Sequence, residues 1–394
     1  MQRGWTVVIV LFVARCALGY QYQTVTSVQG FLVGEQGWDY TAIGTLIGLY
    51  SLTGVFIALP AGMAGRRWGD GRMAAVGLAL MAARGLLPEL DTSWETLAAA
   101  RIIAGTGGIF VTVLMTKMVG DWFAGGALVT AMAVLMNSWP VGVGIGLVAQ
   151  GPLAEAWGWQ AVFTTSGLWS AAGIALVLAV WRPAPQPSRT ADASTPPRRP
   201  LSHRQVAACL LAGFTWTLYN SCFYDIFGFA AALLEARGAT RIEAGATVSI
   251  VTWIYMISTP LGGALAQRLD RPNVVMVTSF ALSALATASL PWTDAPLAAL
   301  AIVAIFAGVP TGVVMSLPIQ AVGPDGHNAA MGLYYTAHYI GLGTVPAVAG
   351  LARDLTSEPG APMIVGAIAT APAIAMLAAF RAVARGARPA VAGT

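Results

Sequence analysis

Charge is scarce in this sequence, and almost all of its positive charge is arginine. Only 10% of the 394 residues are Asp, Glu, Lys or Arg, against roughly 25% in a soluble domain. Lys117 is the one lysine. Cysteine is scarce too. Cys16, Cys209 and Cys222 sit in apolar runs, odd in number and without a C-x-x-C, which supports neither a disulfide framework nor a zinc site. The histidines, His203, His327 and His338, lack metal-ligand spacing. No G-x-x-x-x-G-K-[ST], H-E-x-x-H or G-x-S-x-G occurs, so neither direct ATP use nor an intramembrane hydrolase is indicated. The GTGG from Gly105 to Gly108 has no strand before it and is not a phosphate loop. No cofactor is expected, and the chain does not read as an enzyme.

What is present is apolar. Hydrophobic residues make up 57% of the chain and mean hydropathy is +0.69. These values exclude a soluble enzyme, a disordered chain and a nucleic-acid binder. A membrane span takes about 20 largely apolar residues. Twelve segments qualify: 5–32, 41–64, 73–90, 94–118, 126–152, 161–181, 205–232, 244–267, 273–291, 295–318, 328–350 and 361–381. The first runs past signal-peptide length and reads as a retained span. Arg182 to Arg204 is rich in Pro, Ser and Arg, as a flexible linker is. It divides the chain into a bundle over 1–181, a linker over 182–204 and a bundle over 205–394. The expected fold class is an all-α membrane protein of two six-helix bundles.

Charge placement orients it. With both termini and the linker inside, fifteen of the 21 basic residues fall in inside loops and only Arg237, Arg241 and Arg353 outside. That excess is the positive-inside rule. It implies an integral protein of the plasma (inner) membrane with both termini cytoplasmic. The halves also repeat. Ile57, Pro60, Gly62, Ala64 and Asp70 meet Ile257, Pro260, Gly262, Ala264 and Asp270 at an offset of 200. Gly142 and Gly144 meet Gly341 and Gly343 at an offset of 199. Internal repeats of this kind are a habit of transporters.

The local motifs point the same way. GMAGRRWGDGR from Gly62 resembles the G-x-L-A-D-R-x-G-R-R loop of the major facilitator superfamily, with Arg66 at the usual acid position. GALAQRLDR from Gly263 is its echo, with Gln267 there. RIIAGTGG from Arg101 is similar to that family's R-x-x-x-G signature. KMVGDWF from Lys117 and NSWPVGVGIG from Asn137 are similar to members grouped with cyanate and nitrate carriers. The resemblance implies secondary transport by two rocking bundles, with spans 1, 4, 7 and 10 lining a central cavity. The departures at Arg66 and Gln267 speak against the family's usual ion-pair latch at that loop.

Arg15 is the sharpest single signal. It lies about ten residues into its span, roughly 15 Å deep at 1.5 Å per residue. A guanidinium keeps its proton, so it must face water, a ligand, an acid or carbonyls of a neighbouring helix. Arg15, Gly19 and Tyr22 share a helix face by their spacing. The related face of span 7 is Thr215, Tyr219 and Cys222, with Asn220 adjoining. Arg101 faces the same way as Gly105, Gly108 and Thr112; it is read as a substrate ligand or as the partner of Glu95. Arg15, Tyr22, Arg101, Tyr219 and Asn220 are therefore the substrate-binding candidates. Arg84 is expected to pair with Glu89 or Asp91. Asp225, the one acid more than two residues inside an expected span, and His338 are the proton-coupling candidates.

The favoured reading is proton-coupled uptake of a small anion, inorganic or carboxylate, by a monomer in the lipid bilayer. Proton-driven efflux of an amphipathic compound is the alternative, and a non-transporting membrane sensor a third.

Overall fold

In lipid, each backbone N–H and C=O must find a partner within its own segment, so apolar runs of this length become helices. A computed structural model describes residues 2–85, 91–123, 125–181, 201–322 and 326–387. Those residues form twelve helical rods and no strand. The first six are α1 (Gln2–Gln36), α2 (Tyr40–Leu52 and Gly54–Trp68), α3 (Asp70–Arg84), α4 (Trp94–Trp122), α5 (Gly125–Met136 and Ser138–Trp157) and α6 (Gln160–Val180). The second six open with α7 (His203–Asp225, then a π turn Ile226–Ala230, then Ala231–Ala236). They continue as α8 (Arg241–Leu269), α9 (Pro272–Ser289), α10 (Pro296–Gly308 and Thr311–Gln320), α11 (His327–Thr356) and α12 (Ala361–Thr370 and Pro372–Ala387). Ten of the rods are long and apolar enough to cross a membrane; α3 and α11 complete the two sets of six.

Several helices run past the expected spans. α1 reaches Gln36 and α5 reaches Trp157. α8 starts before its apolar run because Thr240 and Glu243 form a capping box, which satisfies two donors at the helix start. Ser202 and Gln205 do the same for α7. Residues 182–200 of the expected linker lie outside the described residues. α5 breaks at Asn137, three residues before Pro140. Pro140 has no N–H to return to the Met136 carbonyl, which weakens the helix there. At the linker end, Asp70 meets Lys117 of α4 at 2.6 Å.

The two halves touch mainly at the end away from the linker. α2 lies along α11 from Tyr40 beside Gly350 to Gly54 beside Tyr339. A Cβ on Gly44 or Gly48 would strike the carbonyl of Pro346 or Gly343, so the backbones meet there as small residues allow. α5 meets α8 from Gly144 to Glu155. The linker-side segment of α5 packs instead on α1, α4 and the rest of α5, all in its own half. The halves thus close at the far end and part toward the linker.

A hydrogen-bonded cap secures the closed end. The Asp354 carboxylate on α11 accepts from Tyr40 N–H (2.9 Å), Thr41 N–H (2.7 Å) and Thr41 O–H (2.6 Å) at the start of α2. Those two amides are among the free donors of a helix start, where a negative charge is favoured. Arg241 adds an ion pair to Glu155 across the interface at 3.7 Å and lies 4.2 Å from the Phe31 ring. Asp354→Ala is expected to shift the balance toward far-end opening by about tenfold, the worth of about 1.4 kcal/mol in charge-assisted bonds. Spin-label distances between the ends of α2 and α11 would read it; an unchanged distance distribution would remove the cap from the gate.

Candidate functional site

The site begins where α1 crosses α5. A Cβ on Gly19 would strike the Trp139 carbonyl, and one on Gly142 the Cys16 carbonyl. This contact brings Arg15 against the break in α5. Its Nη1 donates to the Leu135 carbonyl at 2.8 Å and to Ser138 Oγ at 2.9 Å, while its Nε has no partner. Ser138 also donates to the same carbonyl at 2.6 Å. No carboxylate pairs with Arg15 among the described residues. Arg15 is 5% exposed, and the phenols of Tyr335 and Tyr339 on α11 lie within its electrostatic reach. It stands just on the linker side of the level where the halves part.

Tyr22, two turns further on, is buried between Tyr50 (6.1 Å between centroids) and Trp139 (5.7 Å). Trp139 reaches Phe227 of the other half at 6.1 Å. His338, the repeat counterpart of Trp139, stacks on Trp216, and Tyr224 Oη lies 2.9 Å from its Nδ1. Trp216 also packs on Tyr334 and Tyr335. Aromatic side chains of α1, α5, α7 and α11 thus surround the ground between Arg15 and His338.

Asp225 is fully buried, with neither carboxylate oxygen hydrogen-bonded. It sits where α7 enters its π turn, a form that recurs at functional positions. That turn also takes two bonds from the other half. Gln23 donates to the Phe227 carbonyl at 3.2 Å and Gln29 to the Gly228 carbonyl at 3.3 Å. Tyr22 and Asp225 lie within electrostatic reach across the interface.

The remaining candidates point elsewhere. Tyr219 donates to the Ala307 carbonyl and stacks on Phe280 at 4.9 Å, inside the C-terminal half. Asn220 donates to the Trp216 carbonyl of its own helix at 2.9 Å. Arg101 binds the carbonyls of Leu46 (2.7 Å), Gln21 (3.1 Å), Tyr22 (3.4 Å) and Ile47 (3.4 Å) and lies 4.6 Å from the Tyr50 ring. It does not pair with Glu95, which is exposed in the first turn of α4. Arg84 does not pair with Asp91 either. Asp91 accepts from Ser93 and Thr96, and these bonds hold its carboxyl below the usual range. Glu89, the other expected partner, lies outside the described residues. Arg84 instead donates to Thr24 Oγ1 at 2.7 Å.

Sequence reasoning missed Trp139, Trp216, Tyr224, Tyr335 and Tyr339. The run YYTAHY from Tyr334, aromatic in a chain of small and aliphatic residues, carried that signal.

Two pseudo-repeated bundles, closed at one end around buried polar groups, define a membrane carrier. The chain belongs to the Major Facilitator Superfamily, whose family model matches residues 11–234 and 214–394. Among solved structures it is similar to a bacterial homologue of the human lysosomal transporter Spinster, at 17% identity and a TM-score of 0.72 over 97% of this chain and 96% of that one. It is similar to a D-xylose–proton symporter, at 15% and 0.73 over 94% and 97%. It also resembles the nucleoside transporter NupG, at 16% and 0.72 over 97% and 99%. No curated protein matches the chain. At these identities the structural likeness carries the fold alone.

Lysine cannot spread its donors over carbonyls of two helices as the Arg101 fork does. Arg101→Lys is expected to destabilise the N-terminal half by about 2 kcal/mol. Thermal unfolding of the purified protein should show a lower Tm; an unaltered Tm would mean that these carbonyl bonds do not hold the helices together.

Proposed function

We infer that this transporter carries a small anion, and that it takes the anion up together with a proton. The observation that carries this reading is Arg15. It is a guanidinium held at the parting of the two halves by a carbonyl, a hydroxyl and the Met136 sulfur, with no carboxylate to cancel it among the described residues and its Nε–H without a partner. Arginine pairs with planar oxyanions through parallel N–H donors. The surrounding aromatic rings favour an anion with an apolar or planar body, a carboxylate over a bare inorganic ion. Tyr22 on the same helix face is a wall of that site. Tyr219, Asn220 and Arg101 act as its supports, since their donors are already bound to backbone.

Asp225 supplies the proton step. An unpaired carboxylate in a dry bundle costs several kcal/mol, so the group is neutral when enclosed. Opening of the interface around the π turn hydrates it and lets the proton leave. One structural neighbour is described as a proton symporter, and Asp225 is the acid here that suits such a role. His338, stacked and bonded to Tyr224, orients the aromatic wall.

Efflux of an amphipathic compound is the second reading, favoured by the same aromatic wall. Proteoliposomes separate the two. Uptake of radiolabelled carboxylates under an inward proton gradient is expected in the wild type and should fall more than tenfold in Arg15→Gln. Equal uptake by the two proteins across a carboxylate and inorganic anion panel would remove Arg15 from the cargo site. Extrusion of amphipathic dyes with no anion uptake would favour the second reading.

Asp225→Asn is expected to keep cargo exchange between the two sides of the membrane while losing accumulation driven by the proton gradient. If Asp225→Asn still concentrates cargo against its gradient, the coupling proton travels elsewhere.

A further inference from the structure

A second cationic centre lies within the N-terminal half, away from the inter-half site. Arg84 on α3 and Arg101 on α4 are both fully buried, and each lies within the other's electrostatic field. They are linked through α1. The Gln21 carbonyl accepts from Arg101 Nη1 (3.1 Å) and from the Thr24 hydroxyl (2.9 Å), and Thr24 Oγ1 accepts from Arg84 Nη2 (2.7 Å). Arg101 is well provided with carbonyls. Arg84 is not: its Nε and Nη1 are buried with no partner, while the Phe163 ring lies 4.6 Å away and the Tyr50 phenol is within its electrostatic reach.

No ion pair among the described residues includes either arginine. Neither group sheds its proton. Two like charges at membrane depth without a counter-charge are costly. Water at the free N–H groups would leave the charge uncancelled. The geometry asks for a small negative ligand with no shape of its own.

We propose that the N-terminal half binds a small inorganic anion of the halide class beside the Arg84 guanidinium, as a fixed counter-ion to Arg84 and Arg101. The groups that frame it come from α1, α3, α4 and α6. The ion therefore moves with that half during rocking and is not the cargo. This site stands independently of the cargo assigned to Arg15.

The test is thermal unfolding of the purified full chain in sodium chloride against sodium gluconate at equal ionic strength. Chloride is expected to raise Tm by several degrees and to saturate, as ligand binding to the folded state requires. The rise should persist in Arg15→Gln and vanish in Arg84→Gln. Crystals grown in bromide should show an anomalous peak beside Arg84, which decides the matter if Arg84→Gln does not fold. The proposal is overturned by equal Tm values in the two salts. It is also overturned by a chloride effect that is lost in Arg15→Gln but kept in Arg84→Gln, which places the ion at the cargo site. A Glu89→Gln variant that loses Tm while chloride does nothing would overturn it as well, by making Glu89 the counter-charge. So would bromide crystals with no peak at Arg84.

Discussion

Lipid offers no water to a guanidinium, and the N-terminal half is organised around that constraint. Arg15, Arg84 and Arg101 are all buried, and none is paired with an acid among the described residues. The donors that are bonded go chiefly to main-chain carbonyls and hydroxyls, while Nε of Arg15 and Nε and Nη1 of Arg84 are left without a partner. Arg15 takes the Leu135 carbonyl beside the break in α5, and Arg101 takes carbonyls from α1 and α2. A helix carbonyl has a second lone pair left after its i+4 bond, so a buried cation draws on acceptors that the helices already display. The price is geometric: α1 must lie close to α5 and α2, which Gly19 and Gly142 permit.

The C-terminal half solves the same packing problem without cations. Thr217 donates to the Ala337 carbonyl of α11, in the helix pair that corresponds to α1 and α5. Tyr334 donates to the Val314 carbonyl, and Ser258 to the Ala304 carbonyl. Neutral hydroxyls replace guanidinium groups at related crossings. The pseudo-symmetry of the fold is therefore not a symmetry of charge. Positive groups gather in one half at membrane depth, while the acid at that depth, Asp225, lies in the other. Rocking the halves changes the spacing of these unlike groups, which a symmetric pair of bundles would not do.

Much of the architecture could be read from the sequence because hydrophobic length is a one-dimensional property. Twelve spans, the six-plus-six division and the family motifs needed no tertiary information. That Arg15 lies inside the first rod was equally legible, since it follows from counting residues. Direction was harder. The spacing of Tyr219 with Thr215 and Cys222 shows that they share a face, but which neighbour that face meets depends on how α7 is rotated. The structure turns Tyr219 toward α10, and Cys222 toward Thr370 of α12. The π turn in α7 was also invisible, because it alters hydrogen bonding without altering the hydrophobic pattern. For Arg84, one of the two expected partners failed for a related reason. A nearby acid in sequence suggests a pair, yet Asp91 satisfies itself locally with Ser93 and Thr96.

The π turn places the acid next to the contacts of the closed end. In an α-helix the carbonyls of residues 227 and 228 would be directed along the helix to their i+4 amides. Widening of the turn tilts such carbonyls outward, and here they receive Gln23 and Gln29 from α1. Two neutral amide bonds between the halves are individually modest, about 1 kcal/mol each, so they can break without a large barrier. Asp225 sits at the first residue before this turn. Separation of α1 from α7 would expose this turn, while the neighbouring Asp225 carboxylate rests against Gly366 of α12.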